Sequence, residues 1–313
     1  MSKNGSIKEF LFSLILKMNP SLINPIIQGE FLFKELEKRG LYIDVYGLEK
    51  KRNLPVYFEN QLTVSNPLHY NQVREIIDQI NEGIVIWIAE RFIDKYVEDI
   101  YHYLHFEVAK PIDFYAVIFN QDYVDQLSKL NQLTQYEAWH YISNDLIELP
   151  KLTLFEKVEI IPKNYIGQGI EKDIEANLTT ITGRNKYLME KLKERVPYLL
   201  NLHRSRKLNN RIISIGAGKS DIDFKISVED RTGRSFIKIR IAKGRYQPLI
   251  DELEVAIKTS TYLSDLNFKI EQGGITHFIN PNLELKQRID EIVNAFEKIV
   301  YVTAPITYRK DVS

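Results

Sequence analysis

With 313 residues, 44% of them hydrophobic and none of them cysteine, the chain can build one large core or two ordinary ones, and it cannot be a disulfide-held scaffold, a thiolate zinc protein or a cysteine-nucleophile enzyme. No run approaches the roughly 20 apolar residues of a membrane span, and no basic segment precedes an apolar core at the N-terminus, so a cytoplasmic protein without a membrane partner is expected. The net charge is zero, yet residues 1–150 carry 14 Lys and Arg against 21 Asp and Glu while 151–313 carry 28 against 21, which points to a metal or catalytic module beside an anion-binding one, or to drift of composition between two domains.

Ser6 and Glu9 form a capping-box opening, and Ile7, Phe10, Leu11, Leu14 and Ile15 follow at helical spacing, so a helix is predicted over 6–18, ended by Pro20. The Phe31, Leu32, Phe33 cluster and the Arg39-Gly40 turn read as a strand over 30–37 leading into another at 41–46. The polar stretch from Lys50 to Asn53 turns the chain into a third strand at 54–62. Asn66 and Pro67 open a helix with the stripe Val73, Ile76, Ile77 and Ile80 and with Gly83 as its stop. The unbroken apolar run at 84–89 predicts a strand covered on both faces and parallel to 54–62. A helix over about 92–105 and a strand at 114–119 complete an α-β-β-β-α-β-α-β series.

Beyond it come mixed helical signals at 122–147, a strand near 152–161, and a polar run with Gly167, Gly169 and Gly183 that reads as a linker. A second domain is expected from 184, with a helix over 185–195, a hairpin of 221–229 and 234–242 around Asp230-Arg231-Thr232-Gly233, and helices near 248–258 and 283–298. The expected organisation is therefore an α/β domain over 1–165 with a mixed central sheet, followed by a smaller α+β domain over 184–313.

The stretch Val56-Tyr57-Phe58-Glu59-Asn60-Gln61-Leu62 puts a carboxylate into an apolar strand, which costs several kcal/mol unless something compensates it. Strand alternation sets Val56, Phe58 and Leu62 on one face and Tyr57, Glu59 and Gln61 on the other, as it sets Tyr42, Asp44 and Tyr46 against Leu41, Ile43 and Val45. A four-residue turn from Lys50 to Asn53 then lays Asp44 opposite Glu59. A two-residue turn at Arg39-Gly40 adds Glu35 opposite Asp44, with Glu37 on the same face as the alternative. On a solvated face these would be ordinary surface charges, but the three tyrosines argue for a half-buried cleft. Carboxylates converging there call for a hard divalent cation such as Mg²⁺ or Mn²⁺.

The motifs Ile43-Asp44-Val45, Phe58-Glu59-Asn60-Gln61, His69 with Gln72, and Val85-Ile86-Trp87-Ile88-Ala89 resemble those of the PD-(D/E)XK nuclease superfamily over roughly residues 30–120. The similarity is to an uncharacterised prokaryotic branch with Glu-Asn-Gln in the motif strand and a further uncharacterised C-terminal domain. The resemblance implies a restriction-endonuclease-like α-β-β-β-α-β core and metal-dependent hydrolysis of phosphodiester bonds in DNA, with a role in prokaryotic defence. It implies Asp44 and Glu59 as metal ligands, a main-chain carbonyl after Glu59 as another, Gln61 at the position usually held by Lys, and His69 and Gln72 as auxiliary groups. A neutral amide at 61 can hydrogen-bond water or phosphate but supplies neither the charge nor the proton of Lys. The alternatives are a nuclease-fold binding protein without the chemistry, and an RNA-directed nuclease.

Three further signals remain. Gly216-Ala217-Gly218-Lys219-Ser220 ends like a Walker A loop, but the glycine that pattern needs at 213 is Ile, so a tight turn between strands is expected instead, with amides and Lys219 able to hold a phosphate. Glu98, His102 and His105 can share one helix side, where solvated surface is the plainer reading. The stretch 204–245 holds twelve Lys and Arg against four acids. Arg204, Arg206, Lys207, Arg211, Lys219, Lys238, Arg240, Lys243 and Arg245 are its candidates for contact with a nucleic-acid backbone, a solvated strand face being the other account. The expected partner is nucleic acid, DNA in the first place, and a homodimer is compatible with the sequence.

Overall fold

The computed structural model describes residues 7–38, 43–169, 177–204, 206–219, 221–242, 247–271 and 273–309. Ser6, the Arg39-Gly40 turn and Tyr42 fall outside them. The chain divides into two compact units, Met1–Leu133 with His140–Asp173, and Thr134–Trp139 with Ile174–Ser313. It is mixed α/β, with one six-stranded mixed sheet and a second, antiparallel sheet.

In chain order the elements up to residue 158 are α1 (Ile7–Met18), β1 (Phe31–Lys38), β2 (Ile43–Glu49), β3 (Leu54–Asn60), α2 (Pro67–Gln79), β4 (Gly83–Ala89), α3 (Asp94–His102), β5 (Ile112–Phe119), α4 (Tyr123–Gln132), α5 (Gln135–Ser143) and β6 (Leu152–Val158). The six strands lie side by side in sequence order. β1, β2 and β3 are antiparallel, β3, β4 and β5 parallel, and β6 antiparallel to β5. Every residue of β3 and of β4 is buried, because helices cover both faces of the sheet. On one face Val73, Ile76 and Ile77 of α2 and Val97 and Ile100 of α3 pack with Tyr57, Val85, Trp87 and Phe114. On the other, Phe12 of α1 meets Phe119 at 5.3 Å, and Phe33 meets Phe58 edge-on at 5.0 Å.

Among the boundaries that differ from expectation are those of α2 and α3. Gly83 does not stop α2, whose backbone leaves the helix at Ile80. It opens β4 instead, with φ of +133° and with its amide donating to Pro111 O at 3.1 Å. α3 stops at His102 and continues as a single π-helical turn, Tyr103–Glu107, in which the Tyr101 and His105 rings stack at 4.2 Å.

The second unit contains α6 (Ile181–Arg195), α7 (Leu200–His203), β7 (Ile213–Gly216), β8 (Ile222–Ser227), β9 (Phe236–Ile241), α8 (Gln247–Thr259), β10 (Phe268–Glu271), β11 (Gly274–Phe278) and α9 (Leu285–Thr307). Its sheet runs β10-β11-β9-β8-β7. Ile222, Phe224 and Ile226 of β8 are buried with Ile237, Ile239 and Ile241 of β9, and Phe224 packs edge-on against Phe296 of α9 at 5.2 Å. α9 runs well past the expected 298, because Ile299, Val300, Thr303 and Ala304 continue its buried face and packing outweighs the cost of Pro305 in its last turn.

A Cβ on Gly83 would lie 2.6 Å from Pro55 O, at a φ that side chains rarely adopt. Gly83→Ala is expected to destabilise the protein by about 2–4 kcal/mol in chemical denaturation, and a loss below about 0.5 kcal/mol would contradict this account of the β3–β4 junction.

Candidate active site

The site lies at the end of the sheet where β3 and β4 finish. The register from Val45↔Phe58 to Glu49↔Leu54 is the one a four-residue turn at 50–53 dictates, and its continuation lays Asp44 opposite Glu59. Asp44 is half-buried, and its Oδ2 accepts the Asn60 N–H at 2.6 Å. Glu59 is 2% exposed.

The third carboxylate is not Glu35. Leu36 pairs with Val45 and Lys38 with Ile43, so the register is displaced by two residues from that of a two-residue turn, and Glu35 falls opposite Tyr46. A shift of two preserves the face and exchanges Glu35 for Glu37, which lies opposite Asp44 with φ of 51°. Glu9 of α1 is a further member that the sequence reading assigned only to a helix cap; its charge, with that of Glu37, acts on both Asp44 and Glu59. Nothing in a one-dimensional pattern brings a helix residue to this sheet end. The nearest signal is Asn60, whose side chain donates to Ser13 Oγ at 2.9 Å, four residues along α1 from Glu9.

α2 supplies the next group. Asn66 Oδ1 caps the helix by accepting from the amides of Leu68 at 2.9 Å and His69 at 3.2 Å. That cap anchors His69, whose Nδ1 shares a hydrogen bond of 2.5 Å with Glu59 Oε1. Gln72, one turn on, has a buried Oε1 without a hydrogen-bond partner. Gln61 is 1% exposed. Its Nε2 donates to Thr63 Oγ1 and Val64 O, bracing its own loop, while its Oε1 is buried without a partner.

Burial pushes the Asp44 carboxyl well above its ordinary range, the charges of Glu59 and Glu37 push it further, and the Asn60 amide pulls against them. Glu59 is raised by burial and then by Glu9 and Glu37. Burial lowers His69, with Glu9 opposing. All three directions favour the neutral forms.

Two other buried carboxylates provide a comparison. Glu49, 1% exposed, accepts from the amides of Glu30, Lys51 and Arg52 at 2.8–3.3 Å, using both oxygens. Asp113, 2% exposed, accepts from Ile160 N and Ile161 N at 2.7 and 2.8 Å and has Arg52 at 3.8 Å. Glu59 Oε2, by contrast, is buried without any partner, where an unsatisfied acceptor costs about 1–3 kcal/mol. Among the described residues no group of three or more His, Asp or Glu is arranged to hold a metal ion, neither Glu98, His102 and His105 nor Asp44, Glu59 and His69.

The basic candidates of the second unit separate. Arg204, Arg206, Lys219 and Arg240 line one cavity. Lys207 and Arg211 are exposed and Lys238 half-buried, none of them lining it. Lys243 and Arg245 lie outside the described residues. Among the described residues no helix is long and apolar enough to cross a membrane. No protein-family model, curated protein or solved structure matches the chain.

Raised folded-state values for Asp44 and Glu59, against ordinary values of 3.8 and 4.5, mean that the folded chain holds more protons than the unfolded one. Their contribution to stability is therefore full below the ordinary range and is lost as pH rises through the folded values. In EDTA, an Asp44→Asn, Glu59→Gln double variant should gain stability relative to wild type as pH rises above the ordinary carboxylate range; a difference independent of pH would contradict the assignment.

Proposed function

We propose that the first unit is a divalent-metal-dependent nuclease that hydrolyses phosphodiester bonds, DNA being the expected substrate. The observation that carries this reading is the unsatisfied Glu59 Oε2 beside Asp44, where Glu49 and Asp113, equally buried, are met by main-chain donors. Asp44 and Glu59 suit Mg²⁺ or Mn²⁺, because Mg²⁺ takes one or two carboxylates and completes its octahedron with water and phosphate oxygens. Two carboxylates, with the main-chain carbonyl that the motif resemblance implies, would meet that need without a third acidic ligand. The order α1, β1, β2, β3, α2, β4 is compatible with a restriction-endonuclease-like core, and the motif resemblance to PD-(D/E)XK nucleases supports the same assignment.

A bound cation would polarise the scissile phosphate and lower the pKa of a coordinated water. The chain's own groups divide the remaining work. Glu37 and Glu9 concentrate negative charge that favours cation entry. His69 hydrogen-bonds and orients Glu59 and can exchange a proton. Gln61, its amide nitrogen committed to Thr63 and Val64, offers only an acceptor oxygen and therefore does not substitute for a Lys. That commitment, together with the engagement of Glu59 by His69, favours the second reading, a nuclease-fold protein that binds nucleic acid without cutting it.

Supercoiled plasmid incubated with Mg²⁺ or Mn²⁺ separates the readings, with an RNA substrate in parallel. Cleavage by wild type should fall at least about 100-fold in Asp44→Asn and in Glu59→Gln, the scale of several kcal/mol that metal charge stabilisation supplies. Binding without cleavage by wild type would favour the non-catalytic reading, and cleavage retained in both variants would refute the assigned ligands.

A further inference from the structure

The second unit contains a cavity of about 460 Å³, within the range of small-ligand sites. Arg204, Arg206, Lys219 and Arg240 line it, and among the described residues Asp223 is the one acidic side chain, with Ser214 as a hydroxyl. Asp223 is already neutralised: Arg240 Nε reaches its Oδ1 at 2.5 Å, Lys225 Nζ its Oδ2 at 2.9 Å, and Ser214 donates to it. Those contacts hold its carboxyl below the ordinary range although burial opposes them. Asp223 therefore orients Arg240, and Arg204, Arg206 and Lys219 line the same cavity.

The wall of the cavity is built rather than incidental. β7 ends at Gly216, whose carbonyl accepts from Asn201 Nδ2 at 2.8 Å and from the Tyr308 hydroxyl at 2.9 Å. Gly218, with φ of +91°, sits where a Cβ would lie 2.7 Å from Thr307 O and 2.8 Å from the Tyr308 ring. The turn between β7 and β8 is thus pressed against the end of α9, and Lys219 follows the pressed residue into the cavity lining. Arg206 is braced by donating to the carbonyls of Asn201 and Arg204.

We propose that this cavity binds a phosphate monoester, either the terminal 5′-phosphate of a nucleic-acid strand or a free nucleotide. Three features select that chemistry. Planar guanidinium groups and a lysine converging in one cavity match a compact dianion better than singly charged phosphodiesters strung along a backbone. The volume admits one nucleotide rather than a length of duplex. Among the described residues no aromatic ring lines the cavity to stack on a base, so recognition falls on the phosphate. The inference does not rest on the nuclease reading.

The test is fluorescence anisotropy with the full chain at physiological salt in EDTA, so that cleavage plays no part and the two proposals fail separately. The probe is a labelled single-stranded oligonucleotide with a 5′-phosphate, compared with the same strand bearing a 5′-hydroxyl and competed with AMP and with inorganic phosphate. The phosphorylated strand should bind at least about tenfold more tightly, and Arg204→Ala and Lys219→Ala should each remove about tenfold or more of that affinity. Lys207→Ala and Lys238→Ala, outside the cavity, should leave it within about twofold. Competition by AMP as strong as by the unlabelled phosphorylated strand identifies a free nucleotide as the ligand, and weaker competition identifies a strand end; both support the site. Equal affinity for the two strands, no phosphate-dependent binding, or equal losses in all four variants would overturn it, and the strand comparison needs no variant to fold.

Discussion

The arrangement of the first unit turns on a repulsion, that between Glu59, buried at the end of β3, and Asp44, brought opposite it by the β2–β3 hairpin. Each charge disfavours the other, so both ionise only at a cost unless a compensating charge is present. Glu37 from β1 and Glu9 from α1 make the imbalance worse rather than better. The protein meets the cost in part with the Asn60 amide on Asp44 and with His69 on Glu59, and leaves Glu59 Oε2 unmet. At Glu49 the same chain meets both oxygens of a buried acid with main-chain amides.

The surrounding fold is organised to hold that imbalance. β3 and β4 are buried along their whole length, so Glu59 cannot swing into solvent without disturbing the sheet. The Asn66 cap fixes the first turn of α2 and with it His69. Gln61 ties the chain to Thr63 and Val64 just beyond the strand. Rigid elements on three sides keep the acidic groups together despite their repulsion, the preorganisation that binding a cation requires.

Much of this was legible in the sequence because strand alternation and turn length are local rules. The Lys50–Asn53 turn placed Asp44 opposite Glu59, and the apolar run at 84–89 announced a doubly covered strand. Register at β1 was not legible. A change of two residues in how β1 meets β2 alters neither face nor hydrophobic pattern, so Glu35 and Glu37 look equivalent until the pairing is seen. Glu9 was hidden for another reason, since its position follows from the packing of α1 on the sheet. Gly83 read as a helix stop because glycine serves both there and at a strand opening where another backbone comes close. In the second unit, charge density at 204–245 was visible, but its division into a cavity group and an outer group depends on the turn at Gly216–Lys219 and on α9.

The central claim is that Asp44 and Glu59 form a cation site, and location tests it more directly than activity does. Crystals of the wild-type protein equilibrated with Mn²⁺ should give an anomalous-scattering peak with Asp44 and Glu59 carboxylate oxygens at roughly 2.1 Å, and with His69 released from, or sharing, Glu59 Oε1. A map with no peak between those carboxylates, and with Glu59 still bound to His69, would contradict the account.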